Sequence, residues 1–148
     1  MARGNIYEVS KMEHGVGSMD ESSFYGMLDE LNIDFVSNGD PDENRFFLQT
    51  MRDAAAGVGK DEKEYFILTD EAKRNYFKNR FEKLKTFLSD LTLDTFALTG
   101  MYEISNLIEI RDGDCISMDG DRPKTVDAWL REAETGVKYY VGNVVIMH

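Results

Sequence analysis

The sequence predicts an α+β fold: one domain over residues 1–148, with a largely antiparallel sheet, about four helices and β-hairpin elements towards the C-terminus. Three observations carry this expectation. Helical and strand periodicities alternate through the first two thirds of the chain. Strand-like runs then follow one another near the C-terminus, separated by turn residues. Only two prolines, Pro41 and Pro123, punctuate the 148 residues, and no Pro/Gly/Ser-rich linker divides them. With 42% hydrophobic and 11% aromatic residues, the chain has the composition of a folded domain with its own core.

The elements follow in order. "RGNIYEVS" suits a first strand, with Ile6 and Val9 around Tyr7. "HGVGSMDESS" reads as a loop, after which "DESSFYGMLDEL" places Phe24, Met27, Leu28 and Leu31 on one helical face. "IDFVS" is a short strand, closed by the turn-rich "NGDPDEN". A second helix, "ENRFFLQTMRDAAA", is expected to stop at Gly57 and Gly59. "EYFILT" is an aromatic and β-branched run of strand length.

Thr69 or Asp70 then caps the longest helix, which reaches to about Leu91. Its Phe77, Phe81, Leu84, Leu88 and Leu91 recur at helical spacing and are expected to face the core. Arg80 falls in the middle of that stripe, between Phe77, Leu84 and Phe87. A guanidinium there must snorkel, pair with a carboxylate at the core edge, or recognise an anion at a pocket mouth. A further helix is expected from about Leu93 to Tyr102.

The last third reads as strands "LIEIR", "DCISM" and "KYYVGNVVIM", with the helix "TVDAWLREA" capped by Thr125. "RDGDCISMDGDRPKT" holds four aspartates around two Asp-Gly pairs. Asp tolerates the left-handed region and Gly has no side chain to clash there, so the aspartates read as turn chemistry. Asp112-Gly113 is a hairpin signal between two alternating runs, and Gly142-Asn143 is a second one between "KYYV" and "VVIM".

Familiar chemistry is mostly excluded. "GVGK" at residues 57–60 has Ala54 where a phosphate loop needs glycine and Asp61 where it needs Ser or Thr. "GVG" at residues 15–17 meets Asp20 where a dinucleotide fingerprint places its third glycine. Asp40, Asp42 and Asn44 match the first EF-hand ligands, but Arg45 replaces the turn glycine and Met51 the closing glutamate. Cys115, His14 and His148 are the only soft ligands or nucleophile partners. No metal, no cofactor and no catalytic residue is therefore assigned.

The net charge of −11 opposes direct duplex DNA binding and contact with anionic membranes. It is also unevenly spread: residues 20–44 hold eight acids and no Lys or Arg, whereas residues 73–85 hold six bases and one acid, Glu82. No run is apolar and long enough to span a bilayer, "MARGNIYEVS" lacks the apolar stretch of a secretory leader, and one cysteine forms no internal disulfide. A cytoplasmic location is expected.

The function this favours is a non-catalytic protein-binding module, with Asp40, Asp42, Glu43, Lys78, Arg80 and Lys83 as its contact residues. The partner is a different protein or a second copy of the chain. Two alternatives belong to other classes. One is a small hydrolase-like enzyme using a carboxylate pair with Arg80. The other is an acidic mimic of nucleic acid that occupies a DNA-binding partner.

Overall fold

The structure, a computed structural model, describes residues 3–98 and 113–148. Its chain order is β1 (Gly4–Ser10), two 3-10 turns (Glu13–Gly15 and Glu21–Phe24), α1 (Leu28–Leu31), β2 (Val36–Asn38), α2 (Glu43–Asp53), β3 (Gly57–Lys60) and β4 (Glu64–Ile67). Then come α3 (Asp70–Asp90), α4 (Leu93–Leu98), β5 (Cys115–Met118), β6 (Lys124–Thr125), α5 (Val126–Glu132) and β7 (Lys138–Met147). The strands form one sheet in the order β3-β4-β7-β1-β5-β6, with β2 also paired to β7. β1 runs parallel to β5, and every other described pair is antiparallel. The α+β architecture and the largely antiparallel sheet are those the sequence predicts. The strand expected at "LIEIR", the helix beyond Leu98 and the Asp112-Gly113 hairpin lie outside the described residues.

The sheet is buried on both faces, which is why β1 reads as only loosely alternating. Tyr7 and Val9 point to a cluster built with Phe47, Leu48 and Met51 of α2, Phe66 and Tyr139 of the sheet, and Trp129 and Leu130 of α5. Ile6 points the other way, to Phe24, Ile33, Val36, Val145 and Met147. The first cluster is largely aromatic: Tyr7 stacks on Phe47 at 4.3 Å, and Phe66 meets Phe47, Tyr139 and Trp129 at 5.5, 5.6 and 6.0 Å.

Local signals fix the helix ends. Thr69 accepts the Ala72 N–H at 3.0 Å and Thr125 accepts that of Ala128 at 3.3 Å, so both expected caps are present. Asp119 (φ +54°) and Gly120 (φ +78°) form the left-handed centre of a turn closed by Asp121 N–H to Met118 C=O at 3.0 Å. That turn joins β5 to β6 as a C-terminal hairpin.

Four expectations need correction. The segment "DESSFYGMLDEL" is not one helix but a 3-10 turn and the short α1, separated at Tyr25-Gly26-Met27. Its apolar residues still gather on the second cluster. The helix α2 ends before its glycines, with Ala55 in the left-handed region (φ +69°) and the Ala56 N–H returning to Met51 C=O at 3.0 Å. Gly57 and Gly59 belong to β3 instead.

Gly142-Asn143 makes no hairpin. The strand β7 runs through it without a break, and the register against β1 shifts between Tyr7–Val144 and Val9–Val141. This β-bulge puts Val141 and Val144 on the same face, three residues apart, where simple alternation would not. Gly142 is required there, because a Cβ would lie 2.6 Å from Glu8 Oε2 and 2.7 Å from Val16 Cβ.

The fourth correction concerns α3. Among the described residues, only its first two turns, through Ala72, Tyr76 and Phe77, pack on the core. A helix of 21 residues is about 32 Å long, and the remainder runs past the cluster. The apolar stripe read from the sequence divides in two. Leu84 and Phe87 stay half-buried in line with Tyr76 and Arg80, while Phe81 and Leu88 are 63% and 53% exposed.

Candidate functional site

The residues expected to make contact divide into two groups that no hydrogen bond or ion pair joins among the described residues. Asp40, Asp42 and Glu43 stand at the start of α2. Asp40 Oδ1 accepts the Asp42 N–H at 2.9 Å, Asp42 pairs with Arg45 at 3.4 Å, and Glu43 Oε2 accepts from Asn5 Nδ2 at 2.5 Å. Each of the three therefore already has a local partner, and acids at a helix start suit its dipole.

The second group lies on α3. Lys78 and Lys83 are exposed. Lys78, Phe81, Lys85 and Leu88 fall at i, i+3, i+7 and i+10, one stripe of alternating charge and apolar surface. The Lys85 ammonium lies over the Phe81 ring, 5.9 Å from its centroid. The helix α4 adds further exposed apolar groups, with Leu93 and Leu98 at 82% and 88% exposure and Phe96 also exposed.

Arg80 turns inward. Its guanidinium donates to Asp127 in the first turn of α5 and, at 3.2 Å, to the Tyr76 hydroxyl, which itself donates to Asp127. With the Asp127 side chain 13% exposed, this is the arginine pairing with a core-edge carboxylate. Arg131 of α5 completes the joint by lying over the Phe77 ring at 5.1 Å. Arg80 therefore bolts α3 to α5, and its guanidinium is already engaged.

Beside this bolt, α2, β1 and the start of α5 enclose a cavity of about 280 Å³, walled by Tyr7, Phe47, Met51, Tyr76, Asp114 and Asp127 among others. Burial pushes the Tyr7 and Tyr76 phenols up to about 12, helped by the nearby carboxylates of Asp114 and Asp127 respectively. The folded chain holds both protons after the unfolded chain has lost them. Stability should thus be unaffected by these groups below about pH 10 and fall between about pH 10 and 12. Tyrosinate absorbance during alkaline titration should show two late phenols, whose ionisation coincides with unfolding. Smooth ionisation of every tyrosine near pH 10 in a still-folded chain would contradict this.

Sequence reasoning missed Tyr7, Tyr76, Asp114 and Asp127 as neighbours. Asp114 was expected only as turn chemistry, yet its Oδ1 accepts the Asn5 N–H of β1 at 3.0 Å. The thiol of Cys115 is pushed up to about 11, first by burial and then by the Asp114 charge, so it stays protonated at neutral pH. His14 sits instead with Glu13 and Glu62, whose ligand atoms lie within 4.8 Å of one another. Glu13 Oε2 already accepts the N–H groups of Glu62 and Lys63, at 3.1 and 3.4 Å, and so ties the first 3-10 turn to the β3–β4 turn. No helix among the described residues is long and apolar enough to cross a membrane. Comparison with protein-family models, curated proteins and solved structures finds no match to the chain.

Proposed function

We propose that this chain is a non-catalytic protein-binding module that docks through α3 and α4 onto a partner protein presenting an acidic, partly apolar surface. The observation that carries this is the run Phe81, Leu88, Leu93, Phe96 and Leu98, all exposed along two consecutive helices. Large apolar side chains grouped on a helical face mark a contact surface more often than scattered ones do. The sign of the partner follows from Lys78, Lys83 and Lys85, which stand exposed among these apolar groups. The hydrolase-like alternative keeps one observation in its favour, since Asp114 and Asp127 line the same cavity. Arg80, which it needs free for an anion, is held by Asp127 and Tyr76.

Affinity capture with the wild-type chain and with a Phe81→Ser/Leu88→Ser variant tests the reading. Both substitutions replace exposed groups, so the fold should persist. A protein retained by the wild type should be lost from the variant, and chemical cross-links should place it against α3. A partner held equally by both forms would refute docking through this face. Self-association that sediments as a dimer and is lost in the variant would identify the partner as a second copy and overturn the choice of a distinct acidic protein.

A further inference from the structure

The cavity beside Arg80 carries an inference independent of the docking face. Its two ends differ in chemistry. The α2 side is apolar: Phe47 and Met51 face inward, and the exposed ring of Phe46 stands at the mouth. The opposite end is built from oxygen. The Tyr7 hydroxyl accepts from Asn5 Nδ2 at 3.2 Å, the same nitrogen that holds Glu43 Oε2. Asp114 is held by the Asn5 N–H, and Asp127 by Tyr76 and Arg80.

Charge at this end does not balance. Asp114 and Asp127 line the cavity and Glu43 stands behind it on Asn5; among the described residues Arg80 is the one cation bonded to any of the three, which leaves an excess of two negative charges. Tyr7 and Tyr76 also line the space, but the Tyr7 ring stacks on Phe47 at 4.3 Å and the Arg80 guanidinium lies 5.8 Å from the centroid of the Tyr76 ring, so the carboxylates are the groups that select a cation. Carboxylates at one end and an apolar wall at the other favour a cation with an apolar body. The volume, about 280 Å³, is at the small end of ligand cavities.

We infer that this cavity binds a compact amphipathic amine, with its ammonium towards Asp114 and Asp127 and its apolar body against Phe47 and Met51. An anionic ligand of the same shape is rejected by the carboxylates. A neutral one fits the wall but leaves the negative end uncompensated. The carboxylates are positioned by groups of the fold, Asn5, Tyr76 and Arg80, so the site is formed before the guest arrives.

The probe is phenethylamine, titrated into the full chain and followed by backbone amide NMR. Its isosteres 2-phenylethanol and 3-phenylpropanoate are controls. Saturable shifts are expected at Thr50, Ala54 and Val126, which line the cavity. The alcohol should bind about tenfold more weakly, and the carboxylate should give no saturable shift. Asp114→Asn retains an oxygen for the Asn5 N–H, so it should fold normally and lose about tenfold in affinity for the amine. Ala54→Phe fills the space from the opposite wall and should abolish the shifts, which keeps the idea testable if the first variant folds poorly. Equal binding of amine and alcohol, shifts that survive Ala54→Phe, or no saturable binding at millimolar amine would each overturn the inference.

Discussion

Replacing Glu8 with alanine is expected to destabilise the fold by about 1.5–3 kcal/mol, the range for losing hydrogen bonds to a charged group. Glu8 is buried at 3% exposure in the middle of β1. Its Oε1 accepts the N–H groups of Gly17 and Ser18, at 2.7 and 3.3 Å, and its Oε2 accepts that of Asn143 at 2.9 Å. One carboxylate thus holds the loop after the first 3-10 turn and the bulge of β7 together. Alanine leaves three N–H groups without their acceptor, and because Gly17, Ser18 and Asn143 are themselves exposed, water replaces part of what is lost. Glutamine keeps one acceptor oxygen but turns an amide N–H₂ towards the other donors, so it should recover only part of the loss. Urea unfolding measures both variants. An alanine variant within about 0.5 kcal/mol of wild type would show that the carboxylate does not anchor the bulge.

Phe66→Ala is expected to cost about 3–5 kcal/mol, the range for deleting a buried aromatic ring. Phe66 has no exposed surface, and its ring contacts those of Phe47, Tyr139 and Trp129. The cavity it leaves is bounded by three rigid rings from α2, β7 and α5, which limits collapse around it. Phe81→Ala, on the exposed stripe of α3, should stay within about 0.5 kcal/mol. The pair measured side by side separates the two halves of the apolar pattern. Comparable losses would mean that Phe81 is packed in solution and that the docking face is not free.

How much of this was legible in the sequence depends on how local each signal is. The strand β4, the length of α3, its Thr69 cap and the Asp119-Gly120 turn are set by a few adjacent residues, and each was readable. The direction in which α3 faces was not. Helical spacing shows which residues share a stripe, but Phe77 and Phe81 share that spacing whether or not the core extends beneath both. The Gly142-Asn143 pair carries the same composition as a hairpin. What makes it a bulge is Glu8, more than a hundred residues earlier, accepting the Asn143 N–H.

The site divides in the same way. Arg80 stood out because its charge interrupted an apolar stripe, which is a local observation. Its partner Asp127 did not stand out, being one of 28 acids. The cavity was invisible for a stronger reason: Tyr7 and Asp114 become neighbours through the parallel pairing of β1 with β5, a contact between distant segments that no short motif announces.

The place of β7 in the sheet has a consequence for how the molecule assembles. It is the last strand in the described chain order, yet it lies between β1 on one side and β4 and β2 on the other. Until Lys138 and the residues after it are available, β4 and β2 have no route to β1, and three strand edges stay open. Such long-range pairing must wait for closure of large loops, so folding should be slow for a domain of this size. The ribosome-bound chain passes through a stage with unpaired, apolar edges, the condition under which nascent chains recruit chaperones or aggregate.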